Sequence, residues 1–120
     1  MDLDFLRSQS GYNEEDIDCY IHVWTTIQAI GGKWKMLILW HVNEGGRRYN
    51  ELRRLIPGIS QKVLTQHLKE LEQDGLISRK VFPEMPPRVE YEMSEYGKTL
   101  EPIFEIMYDW GVNHRSRKAD

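Results

Sequence analysis

The sequence lacks the features that define several classes of protein. It contains one cysteine, so no disulfide can form within the chain. No apolar run approaches the roughly 18 residues that span a bilayer. Residues 1–10 are acidic and lack the apolar segment of a signal peptide. We therefore expect a cytoplasmic protein without a membrane partner.

The charge is unevenly distributed along a chain of ordinary composition. The 120 residues suit one domain, and 40% apolar with 29% charged residues is typical of a globular fold. The net charge of −3 alone argues against a nucleic-acid-binding protein. However, residues 47–80 hold eight basic and four acidic side chains, a net +4, whereas residues 1–18 hold one arginine and six acids, a net −5. Local positive charge steers a polyanion more than total charge does, so residues 47–80 could bind nucleic acid. The alternative is that this segment only forms a basic, solvated surface.

Apolar spacing and helix-breaking residues predict the order helix, helix, short strand, helix, helix, β-hairpin, helix. The predicted helices cover 17–30, 33–43, 51–56, 60–73 and the segment after Ser94, the predicted strands cover 77–82 and 88–93, and 47–49 could pair with a sheet edge. This order is that of a winged helix-turn-helix, a mainly α fold with a small β-hairpin. We expect one such domain over 16–114, between a flexible arm (1–15) and a basic tail (115–120).

Four local features refine this prediction. Asn50 is expected to cap the short helix 51–56, and Ser60 the helix that follows. Pro102 lies within the last predicted helix and is expected to kink it. The second helix is expected to bury one face with i, i+3, i+4, i+7 spacing, made of Trp34, Leu37, Ile38 and His41.

The helix 60–73 carries the functional argument. Its apolar residues gather on one side, and at 100° per residue five polar ones fall within about 140° of arc on the other. These five are the candidates for reading base edges: Gln61, Lys62, Thr65, Gln66 and Lys69. All five can donate a hydrogen bond and none is acidic. Gln can contact adenine, Lys guanine or phosphate, and Thr a thymine methyl group. The alternative is an ordinary amphipathic helix with a polar exposed face.

Further basic and polar residues flank this helix. The candidates for contacts with the DNA backbone are Asn50, Arg53, Arg54, Ser60, Lys80 and Arg88. Arg53 and Arg54 could equally be solvated. A wing commonly lies over the minor groove, which attracts arginine. Arg88, just after the proline-rich hairpin tip, is the preferred wing contact, and a salt bridge to Glu84 or Glu90 is its alternative.

Several motifs resemble those of a known family. The run 30–35, Ile-Gly-Gly-Lys-Trp-Lys, resembles the IGGKW signature of HxlR-type winged helix-turn-helix regulators, which are related to the MarR group. The same family is resembled by three further segments, namely 48–65, 68–77 and 86–91 with the following Gly97. The resemblance covers about 21–111. It implies a prokaryotic transcription regulator that binds double-stranded DNA, with its recognition helix at 60–73, its wing near Arg88, and a homodimer held through its first and last helices.

Dimerisation would let two recognition helices read a pseudo-palindrome. An apolar seam on the last helix, with the apolar residues of 17–30, could bury the necessary surface or could serve the core of one subunit. The seam comprises Tyr96, Leu100, Ile103, Phe104, Met107 and Trp110. The tryptophans 24, 34, 40 and 110 are read as core or interface residues and not as a ligand cage. The sequence also allows an effector pocket between the dimer helices and the DNA-binding part, without indicating its ligand.

Cys19 is the candidate redox site. Many members of the resembled family carry a Cys-Pro pair ten residues before the Gly-Gly pair, and some use that cysteine as a thiol sensor. The matching positions here are Ile21 and His22, and no proline follows Cys19. A reactive thiol requires nearby positive charge. Because Asp16 and Asp18 are acidic, the sequence favours a sluggish thiol.

Other functions find little support in the sequence. His22, His41, His67 and His114 are scattered without metal-ligand spacing, and no nucleophile–base motif or phosphate loop occurs. We expect no enzyme activity, metal or cofactor. The alternative function is a winged-helix protein-interaction module that does not bind DNA. That alternative predicts an exposed apolar patch on the wing or on the outer helix face.

Overall fold

Helices and one hairpin follow each other along the chain in the predicted order. The computed structural model describes residues 3–9, 11 and 13–119. The elements within that range are α1 (Leu3–Ser8), α2 (Glu14–Ile30), α3 (Lys33–Glu44), α4 (Tyr49–Leu55), α5 (Gln61–Gln73), β1 (Ile77–Phe82), β2 (Arg88–Met93), a 3₁₀ turn (Gly97–Leu100) and α6 (Glu101–Ala119). This is the expected mainly helical fold with a small β-hairpin.

Both ends of the described chain are more helical than predicted. Within the expected arm 1–15, residues 3–8 form α1, and Glu14 and Glu15 already belong to α2. Asn13 starts α2 because its side chain accepts from Asp16 N at 2.8 Å, while its own N–H donates to the Asp16 carboxylate at 3.2 Å. At the other end, α6 continues through 115–119, so this part of the predicted tail is helical. Residues 1, 2, 10, 12 and 120 lie outside the described range.

Three predictions about helix boundaries are wrong. The last helix does not directly follow Ser94, because a 3₁₀ turn (Gly97–Leu100) precedes α6, which begins at Glu101. Asn50 is not the cap of the short helix but lies inside α4, because the helix begins earlier, at Tyr49. The backbone N–H of Arg48 donates to Glu51 Oε1 at 3.0 Å and fixes this earlier start. Pro102 occupies the second position of α6, where no intrahelical N–H bond is required, so it starts a helix and does not kink one.

The core lies where α3, α4 and α5 meet the hairpin and the start of α6. Its fully buried side chains include Ile38, Leu39, Val42, Leu52, Ile56, Leu64 and Leu71. The prediction for α3 is therefore partly wrong. Ile38 is buried, but Leu37 is exposed and Trp34 and His41 are half-buried, while Leu39 and Val42 complete the buried face. None of the helices in the described ranges is long and apolar enough to cross a bilayer.

The hairpin projects from this core as an antiparallel pair. Its register runs from Ile77 opposite Met93 to Phe82 opposite Arg88. The short segment before α4 joins the edge of β2, as predicted. Arg47 N donates to Tyr91 O at 2.9 Å, and Tyr91 N donates to Arg47 O at 2.7 Å. The hairpin is thereby held beside the start of α4.

Candidate nucleic-acid interface

The predicted reading face of α5 is exposed along its full length. Gln61, Lys62, Thr65, Gln66 and Lys69 all point into solvent, whereas Leu64, Leu68 and Leu71 are buried beneath them. Ser60 caps the helix as expected, since its Oγ accepts from Val63 N at 3.1 Å. The preceding turn needs Gly58, whose φ of +88° is a conformation that residues with side chains rarely adopt. Turn and cap together present the N-terminus of α5 at the surface.

Thr65 is held from the neighbouring helix. The Tyr49 hydroxyl lies 3.1 Å from the Gln61 carbonyl oxygen and 3.0 Å from Thr65 Oγ1. A phenol has one hydrogen, so when it donates to Gln61 O, the Thr65 hydroxyl donates to Tyr49. Thr65 is exposed nonetheless, and its methyl group is the part of the side chain that suits contact with a thymine methyl group.

Gln66 is joined to a group of charged residues that the sequence analysis missed. Its Nε2 donates to Glu70 Oε1 at 2.9 Å. The other carboxylate oxygen, Oε2, pairs with Lys35 Nζ at 2.8 Å and lies 3.5 Å from His67 Nδ1. The i, i+4 spacing of Gln66 and Glu70 could have indicated the first contact. No local signal could have indicated Lys35, which reaches α5 from the start of α3.

The electrostatics of this group keep Glu70 ionised. Its pKa is lowered from 4.5 to about 2, chiefly by the hydrogen bond from Lys35 and then by that from Gln66, against a smaller opposing effect of desolvation. An ionised carboxylate can only accept hydrogen bonds. The outer face of α5 is therefore not entirely remote from acids, because this carboxylate lies at its edge.

Three of the candidate backbone contacts line one groove. Asn50, Arg53 and Arg54 are exposed and border an open groove between α4 and the part of the hairpin next to its tip, with a volume of about 1210 Å³. Pro87 and Val89 form the hairpin side of that groove. Ser60 is exposed at the start of α5, where its side chain already serves as the helix cap.

The two hairpin candidates share one aromatic ring. Lys80 Nζ lies 5.2 Å and Arg88 Cζ 4.0 Å from the centre of the Phe82 ring. Arg88 also pairs with Glu84 at 3.3 Å and, through Nε, with Glu90 at 3.8 Å. Both salt bridges that were the alternative for Arg88 are therefore present in the free protein. Lys80 is exposed, whereas the Arg88 side chain is 29% exposed.

Cys19 lies on a different part of the molecule. It is an exposed free thiol on α2, in an apolar hollow that it shares with Tyr20, Val23, Trp24 and Ile27. One turn away, His22 Nε2 pairs with Asp18 at 3.3 Å. Across the described residues, no group of His, Cys, Asp and Glu is arranged to hold a metal ion.

Two helices expose apolar faces. On α2 the exposed side chains include Val23, Trp24 and Ile27, whereas Ile17 and Ile30 are buried. The predicted seam on the last helix divides in the same way. Leu100 and Phe104 are in the core, whereas Tyr96, Met107 and Trp110 are exposed, together with Ile106, Tyr108 and Val112. Two tryptophans stack on neighbouring rings: the ring centroids of Trp40 and Tyr108 are 6.2 Å apart, and those of Trp110 and His114 are 4.7 Å apart.

Comparison with known proteins gives consistent matches. A family model described as HxlR-like helix-turn-helix matches residues 29–119. The HTH-type transcriptional regulator YtcD of Bacillus subtilis (strain 168) is 54% identical over 97 residues, which cover 81% of this chain and 77% of that protein. A crystal structure of ytcD superposes with a TM-score of 0.75 at 53% identity and covers 78% of this chain and 96% of that one. The redox regulator HypR in its oxidized form superposes with a TM-score of 0.72 at 47% identity and covers 76% and 94% of the respective chains.

Proposed function

Because the chain belongs to the HxlR-like helix-turn-helix family of transcriptional regulators, we propose that it binds a pseudo-palindromic site in double-stranded DNA as a homodimer. In each half-site α5 enters the major groove and the hairpin lies at the minor groove. The protein acts in the cytoplasm, where its DNA is, as a regulator and not as an enzyme.

The exposed face of α5 is the observation that carries this proposal. Five side chains that can donate hydrogen bonds project together from a helix whose opposite side is fixed in the core. Base edges in the major groove present donors and acceptors between two rows of phosphates, and such a face can meet both. Gln61, Lys62, Thr65, Gln66 and Lys69 are the proposed base-reading residues.

Contacts with the phosphates would fix the position of α5. Arg53, Arg54 and Asn50 border the groove beside α4, and Ser60 lies at the N-terminus of α5. Lys80 is an exposed cation beside the Phe82 ring, whereas Arg88 must leave Glu84 and Glu90 to contact a phosphate. Such contacts contribute affinity without distinguishing sequences.

The homodimer would be formed by α2 and α6. Their exposed apolar side chains include Trp24, Ile27, Ile106, Met107 and Trp110. Large apolar side chains exposed together on two helices are typical of a surface that another chain covers. Two copies of α5 must lie about 34–36 Å apart to enter successive major grooves, and in this proposal the pairing of α2 and α6 sets that spacing.

The signal to which the protein responds is a redox change or a small effector. A redox response is supported by the similarity to HypR, whose structure is described as that of a redox regulator. Cys19 is the residue in this chain that could carry it. An effector would act by favouring one spacing of the two recognition helices over another.

The alternative, a protein-interaction module, has less support. It requires a large apolar patch on the wing or on the outer face of α5, and that face of α5 is polar. The hairpin exposes Val81 and Met85, but Arg79 and Lys80 lie on the same strand as Val81. Residues 77–93 carry three basic and three acidic side chains among their apolar ones, so the hairpin does not offer the continuous apolar patch that such a partner requires.

Fluorescence titration of the full chain with labelled double-stranded DNA tests the proposal. The protein first selects DNA from a pool with a randomised centre, and the selected DNA is sequenced. The enriched site is then titrated in parallel with a scrambled control. We expect one enriched, two-fold related motif and an affinity that falls steeply as salt rises, because bound counterions are released. The absence of an enriched motif, or affinity independent of salt, would contradict DNA recognition by this face.

A further inference from the structure

A glutamine side chain is an ambiguous reader of bases. Its amide carries one acceptor oxygen and a nitrogen with two N–H donors, and a rotation by 180° exchanges them. A freely rotating glutamine can therefore meet different base edges and also loses conformational entropy when it binds. Discrimination by Gln66 requires that something fixes the orientation of its amide.

Glu70 provides this constraint. Its Oε1 accepts from Gln66 Nε2 at 2.9 Å. The reversed amide would place the Gln66 oxygen against a carboxylate oxygen, and two acceptors repel each other. The nitrogen of Gln66 therefore stays toward Glu70, and the amide oxygen and the second N–H stay available at the surface of α5.

Lys35 holds Glu70 in place and offsets its charge. Its side chain is only 13% exposed, and its Nζ lies 2.8 Å from Glu70 Oε2. The two carboxylate oxygens are thus assigned to different partners, one to Lys35 and one to Gln66. The pairing also reduces the repulsion that a carboxylate beside a row of phosphates would otherwise cause.

We propose that Glu70 is a positioning residue for base recognition, which holds the Gln66 amide so that it offers one acceptor and one donor side by side. The edge that matches this pair is that of adenine, whose N6 amino group donates and whose N7 accepts. This inference rests on the proposed function, because it assumes that α5 lies in the major groove.

The test compares the wild type with Glu70→Gln, Gln66→Ala and a matched control, Glu72→Gln. Glu72 is an exposed glutamate on the same helix, so its substitution changes the net charge equally. Glutamine at position 70 has the same shape but can donate or accept, so both orientations of Gln66 become available. Each full-length protein is used to select sites from the randomised DNA pool, and the preference at each base pair is measured by competition.

We expect one base pair in each half-site, an A·T pair, to lose its preference in Gln66→Ala. Glu70→Gln should lose most of the same preference, which is roughly 5- to 100-fold for a good bidentate contact. In the double variant, Glu70→Gln should cause no loss of preference beyond that of Gln66→Ala alone. Glu72→Gln should keep the wild-type preference for the A·T pair. If Glu70→Gln keeps it, or if its loss adds to that of Gln66→Ala, the inference is wrong while the proposed function stands. If the wild type selects no motif, the proposed function itself fails.

A measurement on the free protein separates positioning from folding. In the wild type, ¹⁵N relaxation of the Gln66 side-chain amide should show restricted motion, as it should in Glu72→Gln. In Glu70→Gln the amide should become mobile while the backbone of α5 stays ordered. If Glu70→Gln does not fold, Lys35→Gln serves instead, because it leaves α5 unchanged and should also loosen the Gln66 amide. An equally restricted amide in the folded variant contradicts the inference.

Discussion

The hydroxyl of Tyr49 lies 3.0 Å from Thr65 Oγ1 and 3.1 Å from the carbonyl oxygen of Gln61. One side chain at the start of α4 therefore contacts the first two turns of α5. The two helices of the helix-turn-helix are joined on the solvent side by these bonds and on the inner side by the core. The angle at which α5 is presented depends on both.

Removing the hydroxyl in Tyr49→Phe should lower the free energy of unfolding by about 1 kcal/mol, the usual contribution of a hydrogen bond. It should also release Thr65. Urea denaturation of both proteins measures the difference. Tyr96→Phe is the control, because Tyr96 is 64% exposed and surface changes of this kind usually stay within about 0.5 kcal/mol. Equal losses in the two variants would mean that the Tyr49 bonds do not stabilise the fold.

The contacts of Glu70 predict a specific dependence of stability on pH. The pKa of Glu70 is lowered to about 2 in the folded protein from its ordinary 4.5. A lowered pKa contributes stability that is present above 4.5 and is lost as the pH falls from 4.5 toward 2. The thermal midpoint of the wild type should therefore exceed that of Glu70→Gln at neutral pH, and this difference should shrink steadily in acid.

Thermal unfolding followed by circular dichroism between neutral pH and about pH 2 measures that difference. Glu72→Gln is again the control, and its difference from the wild type should lack this acid transition. A gap between wild type and Glu70→Gln that stays constant through the acid range would show that the Lys35–Glu70 pair does not stabilise the folded state.

Arg53 and Gln66 are expected to contribute to binding in different ways. Arg53→Ala should weaken binding to every sequence alike and reduce the salt slope by about one, because one phosphate contact is lost. Gln66→Ala should reduce the discrimination between sites with little change in the salt slope. Titrations of the enriched and scrambled DNA over a series of salt concentrations separate the two effects. If both variants lose only non-specific affinity, α5 has been assigned the wrong role.

The sequence was a good guide to elements that local patterns determine. The limits of both strands and the exposure of all five polar residues on α5 follow from alternation and helical spacing, and the structure confirms them. The cap at Ser60 was predictable for the same reason. These features depend on residues within a few positions of each other.

The features that sequence reasoning missed depend on packing between distant segments. The contact of Lys35 with Glu70 joins residues on two helices, and no spacing rule relates them. Leu37 has the right helical spacing for burial, yet the positions of α4 and α5 bury Leu39 instead. The early start of α4 was hidden because Asn50 is a good cap by type, whereas a hydrogen bond from Arg48 N to Glu51 decides the boundary.

Of the two proposed signals, the surroundings of Cys19 favour a small effector over a redox change, because they predict an ordinary exposed thiol. Its neighbours one turn away on α2 are Asp16 and His22, and the His22 ring is turned to Asp18 at 3.3 Å. A thiol becomes more reactive when a cation is directed at its sulfur, and the nearby His22 pairs with Asp18 instead. Iodoacetamide should alkylate Cys19 no faster than it alkylates free glutathione, and Cys19→Ser should bind DNA like the reduced wild type. Much faster alkylation, or loss of DNA binding on diamide treatment in the wild type but not in Cys19→Ser, would instead establish a thiol sensor.

The exposed apolar face of α6 allows a direct test of the dimer. Ile106 is 68% exposed in the single chain, so Ile106→Glu should leave the subunit folded. In a dimer that covers α6, the same change buries an unpaired charge, which costs on the order of 3 kcal/mol or more. Sedimentation velocity should therefore show a dissociation constant raised by on the order of a hundredfold. Binding to DNA with two half-sites should weaken accordingly.

Val81→Glu is the matched control for this test, because Val81 is 54% exposed but lies on the hairpin, away from α2 and α6. It should sediment as the wild type does. Circular dichroism of both variants establishes that the subunits remain folded. If Ile106→Glu keeps the sedimentation coefficient of the wild-type dimer, or if the wild type itself is a monomer, α6 does not form the interface. The spacing of the two recognition helices must then have another origin.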